Sequence, residues 1–194
     1  MKTLFVSDLH LDAASPEIAR QFHAFLEGEA RSAEALYILG DLFEAWLGDD
    51  DPDPAARATV RVLRALTDSG VPVFVMHGNR DFLIGERFCR ETGAVLLPDG
   101  TVIELYGERA VLMHGDALCT DDASYQRLRR IVRNPVVRGL FGIMTLDQRR
   151  TLAARMRAGS RAPAGMTPPE IMDVNAEAVA HAFREAGVPT MIPG

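Results

Sequence analysis

The sequence predicts an α/β fold, because short apolar runs alternate with segments of helical periodicity over about the first hundred residues. The apolar runs at 3–6, 35–39 and 71–76 predict buried strands, and glycine, proline or charged residues bound these runs. Apolar residues at helical spacing predict helices between the strands. Polar side chains follow all three strands, so the carboxyl edge of the predicted sheet is the expected place for a ligand.

The first predicted helix runs from residue 16 to about residue 30. At its start, Ser15 is a residue type that caps helices, Pro16 occupies the first helical position, and an acid lies in the first turn. A second helix covers residues 54–68, and a short third helix ends before Gly93. The first helix has an apolar face, formed by Ile18, Phe22, Phe25 and Leu26, that can pack on the sheet.

The pattern changes after residue 93. Apolar runs at 95–97, 101–106 and 110–113 are separated by turn residues, and they predict an antiparallel meander. The rest of the chain predicts, in order, basic helices at about 121–160, an amphipathic helix at 170–186 and a last strand at 188–192.

The composition is that of one folded domain. With 194 residues, 47% of them hydrophobic and 25% charged, the chain can bury a core, which excludes the disordered and fibrous classes. No run of about 18 uncharged apolar residues occurs, and Asp8 interrupts the N-terminal segment before a signal-peptide core could form. We therefore expect a cytoplasmic protein, either free or adhering to a membrane surface.

The charge is distributed unevenly along the chain. Residues 123–165 contain ten arginines and one acid, Asp147, in a chain whose net charge is −6. Among these arginines lies an apolar cluster: Val136, Val137, Leu140, Phe141, Ile143 and Met144. This combination predicts an acyl-chain pocket or an interfacial helix on anionic lipid, and a solvated basic face over an ordinary core is the alternative. A nucleic-acid-binding module is a further alternative, which the scarcity of aromatic residues in the segment disfavours.

Side chains that bind metal ions follow four of the strands. They are Asp8 and His10, then Asp41, then Asn79 with Arg80 and Asp81, and lastly His114 with Asp116. Asp8 and His10 share one face of an extended chain, so both can hold one ion. Carboxylate, imidazole and amide ligands without thiolates predict a divalent ion such as Mn²⁺, Fe²⁺ or Zn²⁺ in a site that is not a structural zinc site. Asp41 is the candidate bridge between two such ions.

These motifs, in this order, resemble the signature of the calcineurin-like metallophosphoesterases: Asp8-x-His10, Gly40-Asp41, Gly78-Asn79-Arg80-Asp81 and His114-Gly115-Asp116. The resemblance implies a four-layer α/β/β/α sandwich with a helical insertion and a two-metal site. The implied metal ligands are Asp8, His10, Asp41, Asn79 and His114, and the implied catalytic residues are Asp41, Asn79, Arg80 and His114. It implies two Mn²⁺ ions, with Fe²⁺, Zn²⁺ or Mg²⁺ as alternatives, which would make hydroxide available near neutral pH to attack a phosphoryl group.

Three stretches are similar to the branch of this family that hydrolyses UDP-2,3-diacylglucosamine in lipid A biosynthesis: residues 40–50, 78–83 and 114–122. The similarity implies cleavage of the pyrophosphate bond to UMP and 2,3-diacylglucosamine 1-phosphate on the cytoplasmic face of the inner membrane. It implies that an insertion at about 121–165 is a lid over the acyl chains. The implied substrate contacts are Asn79, Arg80, Asp122, Tyr125 and Ser160. Another phosphoesterase of the family, acting on a nucleotide diphosphate, is the alternative.

Arg80 stands where wider family members place a histidine that can protonate an alkoxide leaving group. Arginine cannot act as a general acid, because its pKa is above about 12, but it binds phosphate bidentately. The substitution therefore favours a substrate whose leaving group is a phosphate, which needs little protonation. The alternative is that Arg80 pairs with a nearby carboxylate such as Asp81.

The family closes its site with a Gly-His-x-His motif after the last strand, and this sequence ends at Pro193-Gly194. We expect the natural gene to continue into His-x-His. Residues 1–194 are then one metallophosphoesterase domain, incomplete at its C-terminal end, with the lid insertion at about 121–165.

Overall fold

The structure, a computed structural model, describes residues 2–160 and 174–194, and it describes side chains for residues 2–155 and 174–194. Its first sheet has four parallel strands in chain order: β1 (Thr3–Val6), β2 (Ala35–Ile38), β3 (Val73–Met76) and β4 (Val95–Leu97). Its second sheet has three strands: β5 (Thr101–Leu105), β6 (Glu108–Met113) and β7 (Thr190–Pro193). β5 and β6 form an antiparallel pair, and β7 is parallel to β6.

Three helices cover the outer face of the first sheet: α1 (Pro16–Glu27), α2 (Pro54–Asp68) and α3 (Glu86–Thr92). Their buried residues, such as Leu26, Leu63 and Phe88, join Leu36 and Val75 of the sheet in one apolar core. Burial of such large side chains stabilises the fold by roughly 1.5–3 kcal/mol each.

Apolar residues also fill the space between the two sheets, where Leu39, Met76 and Leu112 are buried. On the outer face of the second sheet, α7 (Ala176–Ala186) packs through Val179 against Val111. The order of layers is therefore helix, sheet, sheet, helix, which confirms the predicted four-layer α/β/β/α sandwich.

The predicted antiparallel meander is wrong. β4 pairs in parallel with β3, with Val75 opposite Leu96, and only β5 and β6 form a hairpin. The turn at residues 98–100 carries the chain from the first sheet to the second. A short apolar run has the same pattern in either direction and on either sheet, so the sequence could not distinguish these arrangements.

Several predicted boundaries shift by a few residues. α1 ends at Glu27, and the chain continues as the 3₁₀ turn Glu29–Ser32. Ser15 occupies the N-cap position of α1 without a side-chain capping hydrogen bond. α7 begins after Asn175, whose side chain caps it, and residues 170–173 of the predicted helix lie outside the described part of the chain.

The segment after β6 forms three helices: α4 (Ala123–Val132), α5 (Pro135–Ile143) and α6 (Leu146–Ser160). Val132 and Phe141 of these helices pack against Phe82, which follows β3, and this group is called the lid cluster below. Within the residues that the structure describes, no helix is long and apolar enough to cross a membrane.

The apolar cluster predicted around α5 is divided between two faces of the helix. Val137, Phe141 and Met144 contribute to the lid cluster. Val136, Leu140 and Ile143 are exposed, with 72%, 53% and 82% of their surfaces accessible. α5 is therefore apolar on both faces.

Candidate active site

The ends of β1 and β2 continue side by side beyond the regular strands. The amide of Asp8 donates to the carbonyl of Gly40 at 3.2 Å, that of His10 to Asp41 at 3.0 Å, and that of Leu11 to Leu42 at 2.9 Å. These main-chain hydrogen bonds fix the position of each functional side chain relative to the others.

Three residues of this segment have left-handed backbone conformations: Asp8 with φ 51°, His10 with φ 47° and Asp41 with φ 51°. Such conformations are uncommon for residues other than glycine, and they concentrate at functional sites. In this site, these backbone conformations accompany three side chains whose donor atoms converge. Donor atoms of all three lie within 4.8 Å of one another.

The distances within this group suit a shared cation. Nε2 of His10 lies 3.9 Å from Oδ1 of Asp8 and 3.9 Å from Oδ2 of Asp41, both too long for hydrogen bonds. Asp41 is 2% exposed, and burial raises its pKa, an effect partly offset by the hydrogen bond from the Arg80 amide and by the charges of His114 and His10. A buried carboxylate is costly without a countercharge, so the donor set fits a divalent metal ion.

His114 approaches the same carboxylate from the end of β6. Its Nδ1 lies 2.9 Å from the carbonyl oxygen of Leu39, which can only accept, so Nδ1 carries the proton. Its Nε2 lone pair then points toward Oδ2 of Asp41, 3.8 Å away. This is the arrangement of a metal-binding histidine whose second nitrogen is fixed by a backbone carbonyl.

Asp81 ties the ends of β2 and β3 together. Its buried carboxylate accepts hydrogen bonds from the amides of Leu42 and Gly78, each at 2.8 Å. Burial, together with the charge of Asp41, raises the pKa of Asp81 to about 6. A Cβ atom at Gly78 would collide with Asp41, so glycine is required where these two strand ends approach.

Arg80 contacts two carboxylates near the strand ends, one through its backbone amide and one through its side chain. Its amide donates to Oδ1 of Asp41 at 2.9 Å, and its Nη1 donates to Oε1 of Glu44 at 2.6 Å. The alternative, that Arg80 pairs with a nearby carboxylate, is confirmed, but the partner is not Asp81, which is 0% exposed and already accepts two amide hydrogen bonds. The carboxylate beside the guanidinium is that of Glu44.

Tyr125 of α4 connects two strand ends. Its hydroxyl donates to Oδ2 of Asp116 at 3.1 Å and also interacts with the side chain of Asn79. Burial and the charge of Asp116 raise the pKa of Tyr125, so the phenol stays protonated. Asn79 and Tyr125, two of the predicted substrate contacts, are thus together.

Asp122 and Ser160, two further predicted substrate contacts, lie at the ends of helices in the insertion. Asp122 is the N-cap of α4, where its carboxylate accepts from the amide of Tyr125 at 2.9 Å and from the hydroxyl of Ser124 at 2.6 Å. Ser160 is the last residue of α6, and its side chain lies outside the described residues. Their roles as substrate contacts remain predictions.

Several arginines of the insertion are paired with acids of the body. Arg129 and Arg133 contact both Asp99 and Asp116, at N–O distances of 2.6–3.3 Å. Burial alone raises the pKa of Asp116, but the two arginines hold it below its usual value. Arg149, 5% exposed, forms an ion pair with Asp50 at 2.5 Å. Part of the basic charge that the sequence shows is therefore balanced by acids within the molecule.

Sequence reasoning missed two residues of this region, Glu44 and Asp99. Glu44 follows Asp41 by three residues in the same loop, which was a signal that its carboxylate could reach the site. Asp99 was interpreted only as part of a turn, yet it accepts from the amide of His114 at 3.1 Å and pairs with Arg129. Its role depends on a partner 30 residues away, which no local pattern specifies.

Comparison with known proteins agrees with this geometry. The sequence profile described as calcineurin-like phosphoesterase matches residues 1–140. The chain belongs to this family, whose members are hydrolases that use divalent metal ions.

The curated relatives are more specific. UDP-2,3-diacylglucosamine hydrolase of Salmonella newport (strain SL254) is 54% identical over 194 residues, which are 100% of this chain and 81% of the relative. The protein of the same name from Salmonella schwarzengrund (strain CVM19633) is 53% identical with the same coverage. Among solved structures, a protein of unknown function from Aquifex aeolicus has a TM-score of 0.41 and 19% identity, covering 67% of this chain and 70% of its own.

Proposed function

We propose that the protein hydrolyses the pyrophosphate bond of UDP-2,3-diacylglucosamine, releasing UMP and 2,3-diacylglucosamine 1-phosphate. The names of the Salmonella relatives and their identity over the whole chain support this substrate. Residues 1–194 then act as one metallophosphoesterase domain, with α4–α6 as a lid over the diacylated part of the substrate.

A cavity beside the strand ends is the observation that carries the proposal. It has a volume of about 70 Å³, and its lining includes the polar residues Asn79 and Arg80 as well as the apolar residues Phe82, Leu83 and Phe141. A substrate with a diphosphate joined to acyl chains has the same two kinds of surface. This cavity is smaller than the roughly 300–1,000 Å³ of typical ligand pockets, but Leu83 and Phe141 also line a neighbouring cavity of about 340 Å³ beside α5, which offers further room for acyl chains.

The residues at the strand ends have distinct roles in this proposal. Asp8, His10 and Asp41 would hold one divalent ion, and Asn79 and His114 would hold a second, with Asp41 available to both. Two Mn²⁺ ions, when bound, would supply hydroxide near neutral pH and offset the charge on the phosphoryl oxygens. Fe²⁺, Zn²⁺ and Mg²⁺ are the alternatives.

Arg80 binds the phosphate oxygens through its guanidinium. The leaving group is a phosphate, which departs without a general acid, so the absence of a histidine at this position is consistent with pyrophosphate cleavage. Asn79 lines the cavity and interacts with the hydroxyl of Tyr125, and both residues are proposed to contact the substrate, as are Asp122 and Ser160 of the insertion.

Hydrolysis in H₂¹⁸O tests both the substrate and the position of attack. The natural gene product, supplied with Mn²⁺, is expected to release UMP from UDP-2,3-diacylglucosamine with ¹⁸O in the UMP, because water attacks the α-phosphorus. UDP-N-acetylglucosamine, a dinucleoside diphosphate and an alkyl phosphomonoester are expected to have far lower kcat/KM values. A preference for one of these three substrates would support another phosphoesterase function.

The exposed face of α5 supports attachment to the cytoplasmic face of the inner membrane. Val136, Leu140 and Ile143 line this face, and Ile131 of α4 is 49% exposed beside the exposed Arg127 and Arg130. Apolar side chains flanked by arginines bind anionic lipid surfaces.

Sedimentation with vesicles containing phosphatidylglycerol tests this attachment. Ile143→Asp is expected to reduce the bound fraction several-fold, because it places a charge in the apolar face. Val95→Asp is the matched control, since Val95 is 52% exposed on β4, outside the insertion. Equal binding of both variants would contradict attachment through α5.

A further inference from the structure

The carboxylate of Glu44 lies between two side chains of the proposed catalytic machinery. Its Oε2 lies 3.3 Å from Nδ1 of His10, and its Oε1 accepts a 2.6 Å hydrogen bond from Nη1 of Arg80. We propose that Glu44 is a positioning residue, which sets the tautomer and ring orientation of His10 while holding the guanidinium of Arg80. This inference rests on the proposed function, which makes His10 a metal ligand and Arg80 a phosphate-binding group.

The main chain fixes Glu44 relative to His10. The amide of Glu44 donates to the carbonyl of Leu11 at 3.1 Å, and the amide of Leu11 donates to the carbonyl of Leu42 at 2.9 Å. Leu11 and Phe43 also form a parallel β-bridge. Glu44 therefore lies directly opposite the segment that carries His10, and its side chain is 26% exposed.

The two nitrogens of His10 have different surroundings. Nε2 faces the carboxylates of Asp8 and Asp41, each 3.9 Å away, which is the direction of the proposed ion. Nδ1 is buried and makes no hydrogen bond of good geometry within the described residues. Nε2 can bind a cation only when Nδ1 carries the proton, and Glu44 Oε2 is in reach as the acceptor.

His114 supplies a comparison within the same site. Its Nδ1 is fixed by the backbone carbonyl of Leu39, which is neutral and cannot be moved by a side-chain rotation. His10 instead faces a carboxylate, which makes the imidazole a stronger ligand. The second oxygen of the Glu44 carboxylate accepts the hydrogen bond from Arg80. A substitution at Glu44 therefore alters the surroundings of both the proposed metal ligand and the proposed phosphate-binding group.

NMR of the histidine side chains tests the tautomer directly. In the metal-free natural gene product, ¹H–¹⁵N spectra are expected to show His10 with its proton on Nδ1. Glu44→Ala is expected to shift His10 to a mixture that contains the Nε2-protonated form, while His114 is unchanged. Glu44→Gln is expected to retain the Nδ1-protonated form, because the amide oxygen also accepts a hydrogen bond. Circular dichroism verifies that each variant is folded.

Titration with Mn²⁺ alone supplies a second readout. Glu44→Ala is expected to weaken Mn²⁺ binding by about 10- to 100-fold, the usual effect of removing the partner of a metal-binding histidine. Glu44→Gln is expected to weaken it less. Glu91→Ala is the matched control, because Glu91 also pairs with two arginines, Arg57 and Arg87, in a different part of the molecule. It is expected to leave the affinity unchanged.

The outcomes separate this inference from the proposed function. If Glu44→Ala keeps both the Nδ1-protonated tautomer and the Mn²⁺ affinity of the unaltered protein, the positioning role of Glu44 is wrong while the metal centre stands. If Glu44→Gln loses as much as Glu44→Ala in both measurements, the negative charge alone explains the effect and positioning by a hydrogen bond is excluded. If the unaltered protein binds no Mn²⁺, the proposed metal centre itself is wrong.

Discussion

The strand-end site consists of Asp8, His10, Asp41, Asn79 and His114, and main-chain hydrogen bonds hold the strand ends that carry it. The insertion α4–α6 is attached differently, because side-chain ion pairs and the lid cluster join it to the two sheets and their helices, which form the body of the molecule. The amides of Asp8 and His10 donate to carbonyls at the end of β2. Arg129 and Arg133 reach the body only through their guanidinium groups, which contact Asp99 and other polar groups there. A main-chain ladder cannot rearrange without breaking the sheet, while ion pairs can separate individually.

The carboxylates of the two regions also differ in their electrostatic environment. Burial raises the pKa of Asp41 in the strand-end site and of Asp81 beside it, and a cation bound by Asp41 would offset the cost of ionising that carboxylate. Arginines hold the pKa of Asp116 and Asp50 low where the insertion is attached. The strand-end site is thus prepared for a ligand that is not part of the chain, and the attachment of the insertion is already satisfied by the chain itself.

Asp41→Asn is expected to have the largest effect, because it removes the shared carboxylate while the amide oxygen can still accept from Arg80. The turnover number of the natural gene product should fall by about 10³-fold or more. Asp68→Asn is the control, since Asp68 forms an exposed pair with Arg64. Turnover within tenfold of the unaltered enzyme would exclude a bridging role for Asp41.

Arg133→Met tests the attachment of the insertion. It keeps the aliphatic packing but removes one of the two arginine partners of Asp116, whose side chain is 5% exposed. Because Arg129 still pairs with this carboxylate, the free energy of unfolding should fall by about 1.5–2 kcal/mol, as for the loss of a hydrogen bond to a charged group. Urea denaturation measures this. Arg64→Met, which breaks an exposed pair, should cost about 0.5 kcal/mol or less. Equal losses would show that the buried ion pairs are no stronger an attachment than surface pairs.

Arg80→Ala separates phosphate binding from metal binding. It should lower kcat/KM by about 10²-fold, because one group that contacts the phosphate is lost. The metal content, measured after dialysis, should be unchanged, since the proposed ligands are other side chains. Loss of the ions from this variant would contradict the proposal that Arg80 binds phosphate while other side chains hold the metal ions.

The ion pair between Asp50 and Arg149 predicts a small dependence of stability on pH. The hydrogen bond from Arg149 lowers the pKa of Asp50 below its usual value of 3.8. The pair therefore stabilises the fold fully above that value, and this contribution is lost as the pH falls through the lowered pKa. Between pH 5 and pH 2, Asp50→Asn should lose less stability than the unaltered protein. Identical pH profiles would show that this pair does not help attach α6.

The order of the elements and the strand-end residues could be predicted because both depend on local patterns. α2 has the predicted bounds 54–68, since its proline, its capping Asp53 and its apolar spacing lie within the helix or next to it. The same is true of Asp8, His10 and Asp41, which follow strands whose carboxyl ends must meet.

What could not be predicted depends on partners distant in the sequence. The direction of β4, the pairing of Glu44 with Arg80, and the contacts of Arg129 with Asp99 each join residues that are separated by about 20 or more positions. The arginine count predicted a basic surface, but it could not show that the body supplies acids for several of them. Leu140 and Phe141 are adjacent in the sequence, yet Leu140 is exposed and Phe141 is buried in the lid cluster, which only the packing reveals.

We propose that the strand-end site performs the chemistry and that the insertion supplies selectivity for acyl chains. Phe141→Ser tests it most directly, because Phe141 is 8% exposed in the lid cluster and lines the cavity. Each buried CH₂ group contributes about 0.8 kcal/mol, so loss of acyl-chain contacts should lower kcat/KM for UDP-2,3-diacylglucosamine by at least about tenfold. For a deacylated diphosphate analogue, kcat/KM should remain within about twofold, with folding verified by circular dichroism. Equal losses on both substrates would mean that Phe141 belongs to an ordinary core and would contradict the assignment of acyl selectivity to the insertion.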